Sequence, residues 1–145
     1  MKATLLLIED SRFQKIEAER ILLKAGYVVL NAADGEEGLR MAQECIPDLV
    51  LLDLMLPKID GPRVLRTLKE SAPTAHIPVV VLTSLSEANE GRLLSAGASG
   101  FVGKTRLFED KAAVGLFLDL IERVLQQPRE QKTMAGPSVS GQLGQ

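Results

Sequence analysis

Polar side chains able to do chemistry stand at the ends of several apolar runs in this 145-residue chain. Glu9 and Asp10 follow the first run directly, Asp53 and Thr83 end two later runs, and Lys104 comes just after the last. If these runs are parallel strands, their carboxyl ends share one edge of a sheet, where such sheets bind ligands. The spacing therefore predicts one site built from three carboxylates, a hydroxyl group and an ammonium group.

This combination of groups indicates phosphoryl transfer. Three carboxylates in one crevice repel each other, and without compensation at least one would be held neutral. Mg²⁺ removes that conflict, because it binds a few carboxylate oxygens and keeps positions for water or a phosphate. With the cation and the Lys104 ammonium neutralising developing charge, the carboxylate of Asp53 can attack a phosphoryl group.

Each of these residues also has a purely structural interpretation when it is taken alone. Glu9 and Asp10 could be a solvated pair before a helix, and an aspartate after a strand is often a cap or turn former. Thr83 could simply bond to the backbone at its strand end. The functional interpretation depends on all of these residues occurring in register with Lys104.

The elements that must position these side chains follow from the hydrophobic pattern. Short apolar runs alternate with segments of helical period, which predicts an α/β fold with a parallel sheet covered by helices on both faces. The runs are apolar throughout, so their strands should be buried on both sides. The predicted strands are Ala3–Ile8, Val28–Asn31, Leu49–Asp53, Val79–Thr83 and Gly100–Gly103.

Four of the intervening segments carry an apolar stripe with helical spacing. The stripes run over Ala18–Ala25, Leu39–Ile46, Gly61–Leu68 and Val114–Leu125. Residues suited to helix ends agree, with Ser11, Asp34 and Asp60 at N-cap positions and Gly26 and Gly97 at C-terminal ends. The segment Glu87–Ala96 has the weakest stripe, so its helix should be the least firmly held.

Composition limits the class of protein. The hydrophobic content of 46% supports one core, and a net charge of -2 without a basic stripe argues against direct DNA binding. The first apolar run is too short to span a membrane, which places the protein in the cytoplasm. Cys45 is the only cysteine, so an internal disulfide is excluded and a small core side chain is predicted.

The chain changes character at Pro128, after which Gln, Ser, Gly and Pro dominate. This composition is typical of disorder. We expect one domain over residues 1–127 and a disordered C-terminal tail over residues 128–145.

Four sequence stretches resemble the receiver domain of two-component response regulators. They are LLLIEDS with the acidic pair, LVLLDLMLPKIDG with Asp53, PVVVLTS with Thr83, and AGASGFVGK ending in Lys104. The resemblance extends from Ala3 to about Gln126. The expected fold is a flavodoxin-like, doubly wound sheet of five parallel strands in the order 2-1-3-4-5.

The resemblance implies roles for the individual residues. Asp53 would be the phosphoacceptor, Asp10 a direct Mg²⁺ ligand, and Glu9 a ligand acting largely through water. The backbone carbonyl of Met55 would complete the protein's metal ligands, and Thr83 and Lys104 would contact the phosphoryl group.

The resemblance further implies a switch and a set of partners. Thr83 would move toward the phosphoryl group while the ring of Phe101 turns inward, which would change the surface formed by the fourth helix, fifth strand and fifth helix. A sensor histidine kinase would donate the phosphoryl group, and a downstream effector protein would read the new surface. Homodimerisation through the fourth and fifth helices stays open.

Two features of the sequence bear on these roles. Thr105 follows Lys104 where the family usually has proline, which weakens the implication of a cis peptide bond there. Met55 and Leu85, two residues past Asp53 and Thr83, are apolar and cannot hydrogen-bond an attacking water, so we expect slow self-dephosphorylation.

Two other classes of function stay open on the sequence alone. A phosphatase using Asp53 as nucleophile would need a second acid two residues later, where this chain has Met55. A protein-binding module that keeps the fold but ignores the chemistry would not need the acidic cluster. We expect a signalling domain rather than an enzyme acting on external substrates.

Overall fold

Strands and helices alternate along the chain in the structure, a computed structural model that describes residues 2–83, 90–104 and 110–127. The strands are β1 Thr4–Ile8, β2 Val28–Ala32, β3 Leu49–Asp53, β4 Val79–Thr83 and β5 Gly100–Gly103. The helices of the described residues are α1 Arg12–Lys24, α2 Gly35–Cys45, α3 Gly61–Glu70, α4 Glu90–Ser95 and α5 Lys111–Leu125. The predicted strand bounds agree to within one residue.

The strands form one parallel sheet in the order β2-β1-β3-β4-β5, which confirms the predicted topology. Every residue of β3 and β4 is buried, as the uninterrupted apolar runs predicted. The edge strand β2 is less covered, and Val28 at its start is half exposed.

Two separate cores cover the two faces of the sheet. One face packs against α2, α3 and α4 through buried side chains such as Leu6, Leu52 and Leu65. The opposite face packs against α1 and α5 through others such as Leu7, Leu22 and Phe117. Because neighbouring strand residues point to opposite faces, each central strand contributes to both cores. Packing on both faces therefore holds in place the strands whose ends carry the polar residues.

The helix ends follow the predicted signals. Ser11, Asp34 and Asp60 are N-caps whose side chains accept a backbone N–H from the first turn of α1, α2 and α3. Gly26 and Gly97, just past α1 and α4, have φ of 96° and 109°. That left-handed conformation is strained for residues with a Cβ, which explains glycine at both helix ends.

The end of α2 differs from what the pattern predicted. Residues 43–46 are all exposed, so the last turn of α2 extends past the core. The prediction of Cys45 as a core side chain is therefore wrong, since it is exposed. Ile46, predicted to belong to the buried stripe, is 42% exposed and is instead the C-cap of the helix.

Some predictions concern parts of the chain outside the described residues. They are the positions of Leu85 and Thr105, the first residues of the fourth helix, and the tail 128–145. Within the described part of the chain, no helix combines the length and the apolar character needed to cross a membrane.

Replacing Ile46 with Asn should stabilise the protein. Ile46 has φ 44° and ψ 66°, a left-handed conformation that costs an L-residue roughly 1–2 kcal/mol and that Asn tolerates better. We expect Ile46→Asn to raise the free energy of unfolding in urea by about 1 kcal/mol. Leu23→Asn, at a similarly exposed helical position, is the control and should lower it. A loss of stability in both variants would contradict the strain at Ile46.

Candidate functional site

The site lies at the edge of the sheet where the strands end. Glu9 follows β1, and its backbone N–H donates to the carbonyl of Ala32 at 3.0 Å, which extends the pairing with β2 by one residue. Asp53 is the last residue of β3 and pairs with Leu82 of β4. Lys104 follows β5 directly. The predicted convergence of these side chains on one edge is thus what the topology produces.

A buried ion cluster forms the centre of the site. Nζ of Lys104 lies 3.1 Å from Oδ1 of Asp53 and 3.3 Å from Oε1 of Glu9. Glu9 and Asp53 are 1% exposed and Lys104 is 7% exposed, so all three charged groups are nearly removed from water. Such burial is tolerated only when nearby opposite charges and hydrogen bonds offset the cost of removing these groups from water.

Backbone groups fix both carboxylates. The N–H of Met55 donates to Oδ1 of Asp53 at 3.1 Å, so that oxygen faces both an amide and an ammonium group. The N–H of Ser11 donates to Oε2 of Glu9 at 3.1 Å. Ser11 thus serves the site with its backbone while its side chain caps α1.

Gly61 supports the site in a way that its sequence did not predict, because it suited a turn or a helical stripe and so had only a local structural role. A Cβ on Gly61 would come within 2.4 Å of Cα of Leu54 and 2.7 Å of the carbonyl oxygen of Asp53. Its N–H donates to the carbonyl of Leu54 at 3.1 Å. The first residue of α3 therefore packs directly on the backbone that carries Asp53, and only glycine leaves room for this. The available signal was glycine directly after the N-cap Asp60.

The acidic residues of the site can hold a cation. One carboxylate oxygen from each of Glu9, Asp10 and Asp53 lies within 4.8 Å of the others. Asp10 is exposed, while the other two carboxylates are buried, so the cluster opens to solvent on the side of Asp10. Hard oxygen ligands around an open position match what Mg²⁺ takes in proteins. The residues present therefore fit a magnesium ion.

Burial makes the charged form of Glu9 unfavourable. Burial away from water raises the pKa of this carboxyl from 4.5 to about 7, and the neighbouring carboxylate of Asp53 adds to the rise. The N–H of Ser11 and the Lys104 ammonium act in the opposite direction but do not cancel it. Burial thus shifts Glu9 toward its protonated form.

Thr83 and Phe101 lie on neighbouring strands. Thr83 ends β4 and is buried, and Phe101 in β5 is partly buried in the core shared with α2, α3 and α4. Phe101 pairs with Val81, two residues before Thr83. Because side chains alternate along a strand, Thr83 and Phe101 belong to the same face of the sheet. Met55, in the loop after β3, is 63% exposed.

Comparisons with known proteins agree with this geometry. A family model for the response regulator receiver domain matches residues 5–111. The response regulator PleD of Caulobacter vibrioides is 41% identical over 110 residues, which cover 72% of this chain and 23% of PleD. The match thus spans less than a quarter of that relative's length.

Solved structures show the same architecture. The chemotaxis response regulator CheY4 of Vibrio cholerae superposes with a TM-score of 0.75 at 26% identity, covering 86% of this chain and 99% of CheY4. The Mn²⁺-bound form of the response regulator Rcp1 has a TM-score of 0.72 at 26% identity, covering 87% of this chain and 96% of Rcp1.

The raised pKa of Glu9 predicts that Glu9→Gln stabilises the fold when divalent cations are absent, and that the increase in the free energy of unfolding depends on pH. A carboxyl whose folded pKa exceeds its unfolded value destabilises the fold as pH rises from 4.5 to about 7. Glu9→Gln should leave the free energy of unfolding nearly unchanged at pH 4 and raise it by up to about 3 kcal/mol at pH 8.

Urea unfolding with a chelator present, at a series of pH values, measures this difference. The exposed residue Glu70 provides the control, since Glu70→Gln changes a side chain already in contact with water and should change the free energy of unfolding little. A Glu9→Gln variant that is less stable than the native chain at pH 8 would contradict the raised pKa of Glu9.

Proposed function

This chain belongs to the response regulator receiver domain family, and we propose that it accepts a phosphoryl group on Asp53 and thereby changes its contacts with a partner protein. The observation that carries the proposal is the buried ammonium of Lys104, 3.1 Å from the carboxylate of Asp53. An ammonium group at that distance is suited to neutralising charge that develops on a transferred phosphoryl group.

The proposed transfer uses the two oxygens of Asp53 differently. Oδ1 receives the N–H of Met55 and the ammonium of Lys104, so we assign the attack on phosphorus to Oδ2. A new P–O bond forms as the bond between phosphorus and the donor breaks, and the leaving group keeps that electron pair. Lys104 and the hydroxyl of Thr83 would then contact the phosphoryl oxygens.

Asp10, Asp53 and the backbone carbonyl of Met55 would hold Mg²⁺ directly, with Glu9 acting through water. Bound there, the ion would neutralise the carboxylates and the entering phosphoryl oxygens. The three carboxylates within 4.8 Å support this assignment, and the Mn²⁺-bound state of Rcp1 agrees with it.

The proposed switch passes through Thr83 and Phe101. A phosphoryl group adds about -1.5 to -2 charge and three acceptor oxygens, which would attract the hydroxyl of Thr83. Phe101 lies on the same face of the sheet, one strand away, and would turn inward as Thr83 moves. The surface formed by α4, β5 and α5 would change as a result.

The partners follow from this mode of action. A sensor histidine kinase would supply the phosphoryl group, and an effector protein would bind the altered surface. Direct DNA binding and membrane binding are not part of the proposal, and homodimerisation through α4 and α5 stays open. We assign the receiver domain to residues 1–127.

Intact mass after incubation with acetyl phosphate and Mg²⁺ tests the proposal directly. We expect one phosphoryl adduct on the native chain and none on Asp53→Asn, because the amide cannot act as the nucleophile. Chelation of the metal should also abolish the adduct. Asp119→Asn, on the distant helix α5, is the matched control and should be modified like the native chain.

The alternative functions give different results in the same experiment. Steady turnover of an aryl phosphate would indicate a phosphatase that uses Asp53 as nucleophile. A folded chain that forms no adduct and does not bind beryllofluoride would indicate a binding module that works without phosphorylation.

Replacing Met55 with Asn should speed the loss of the phosphoryl group. The exposed thioether of Met55 offers no hydrogen bond of useful strength to a water that attacks phosphorus, whereas an amide does. One such bond, at about 1 kcal/mol, corresponds to roughly a fivefold faster hydrolysis. Adduct decay after removal of the donor, followed by intact mass, gives the rate.

Leu116→Asn is the control for this measurement, because Leu116 is equally exposed but lies on α5. Its decay should match that of the native chain. We expect the native phosphoryl group to persist for longer than seconds, and decay within seconds would contradict the role assigned to Met55.

A further inference from the structure

We infer that the α2 N-terminus, defined as residues 34–36, holds the loop of residues 54–60 in the shape that the magnesium site needs. Lys58 and Gly35 would then be positioning residues for the metal, although neither is among its proposed ligands. The inference rests on the proposed function, because the loop matters through the Met55 carbonyl that it carries. It assigns a role in metal binding to the junction between β2 and α2.

Asp34 gives the α2 N-terminus its rigidity, since both of its carboxylate oxygens have partners. Oδ1 accepts the backbone N–H of Glu37 at 2.8 Å, and Oδ2 faces Nζ of Lys58 at 3.3 Å. Glu37 in turn accepts the N–H of Ala33 at 2.8 Å. This reciprocal capping fixes the start of the helix. Lys58 is therefore tied to a fixed group.

Lys58 adopts an unusual backbone conformation while it makes these contacts. Its φ of 67° lies in the left-handed region, which residues with a Cβ rarely occupy unless surrounding contacts impose it. Its ammonium also lies 3.7 Å from a carboxylate oxygen of Glu36. Hydrogen bonding and charge from Asp34 raise the pKa of Lys58, so the ammonium stays charged. The ion pair with Asp34 thus joins the loop, at its strained residue, to the α2 N-terminus.

Gly35 provides a second contact between the same two segments. A Cβ on this residue would lie 2.4 Å from the carbonyl oxygen of Ile59 and 2.8 Å from Cγ2 of Val64. The backbone of the loop therefore rests directly on the first residue of α2. Any side chain here would displace Ile59.

The other end of the loop is fixed at the site itself. Met55 donates its N–H to Asp53, and Leu54 accepts the N–H of Gly61. The Met55 carbonyl thus lies on a short segment that is anchored at the site and at the α2 N-terminus. Displacing the second anchor should move that carbonyl and weaken metal binding.

Magnesium titration by calorimetry on the full chain tests the inference with two variants. Gly35→Ala should weaken Mg²⁺ binding roughly tenfold, the scale of second-layer effects at metal sites. Gly115→Ala, where a Cβ would meet nothing within 4 Å, is the matched control and should bind like the native chain. Urea unfolding verifies that each variant is folded.

Lys58→Met distinguishes positioning from charge, because the two effects would change the Mg²⁺ affinity in opposite directions. Removing a positive charge from the chain should tighten binding of a cation if charge alone matters. We expect instead a roughly threefold weaker affinity, because the loop loses its tie to Asp34. Lys24→Met, an exposed lysine on α1, controls for the change in net charge.

The outcomes distinguish this inference from the proposed function. A native chain that does not bind Mg²⁺ overturns both. Native binding that is lost in Asp53→Asn, together with unchanged affinity in Gly35→Ala or tighter affinity in Lys58→Met, overturns the positioning role alone. Weaker binding in both variants, with full phosphorylation recovered at saturating Mg²⁺, supports it.

Discussion

The interaction on which the rest of the site depends is the buried contact of the Lys104 ammonium with the carboxylates of Asp53 and Glu9. Removing such charges from water costs several kcal/mol each, and only close opposite charge and hydrogen bonds offset that cost. The three groups come from the ends of β5, β3 and β1, so the contact exists only in the correct strand order and register. The ion cluster therefore forms only when the sheet has this topology.

The cost of burying charge also explains why backbone groups surround Asp53 so closely. A carboxylate without sufficient hydrogen bonds in a dry environment would take up a proton and lose its nucleophilicity. The N–H of Met55 donates to Asp53, and Gly61 packs on the backbone beneath it. Each of these positions would be disturbed by a small shift of the loop after β3. The close packing of α2 and α3 on one face of the sheet keeps that shift small.

The sequence was sufficient where a physical rule acts locally. Runs such as LVLLD predicted buried parallel strands, and strand-end polar residues predicted the location of the site, because both follow from side-chain burial. The sequence was not sufficient where the burial of a residue depends on how far a helix extends beyond the sheet. The helical stripe extended to Ile46, but the sheet does not cover the last turn of α2. The close backbone approaches at Gly35 and Gly61 likewise join segments whose contact no local pattern encodes.

The charge balance of the cluster gives a physical reason for assigning a divalent cation to it. The Lys104 ammonium contacts two of the three carboxylates, and burial together with the neighbouring Asp53 raises the pKa of Glu9 to about 7. A proton on Glu9 would remove one negative charge, but it would leave the open side near Asp10 without a positive charge. A cation bound between Asp10 and Asp53 would neutralise that side and return Glu9 to its charged form, since metal binding displaces protons from acidic groups. A divalent cation would therefore balance negative charge that the Lys104 ammonium and a proton on Glu9 leave at this site.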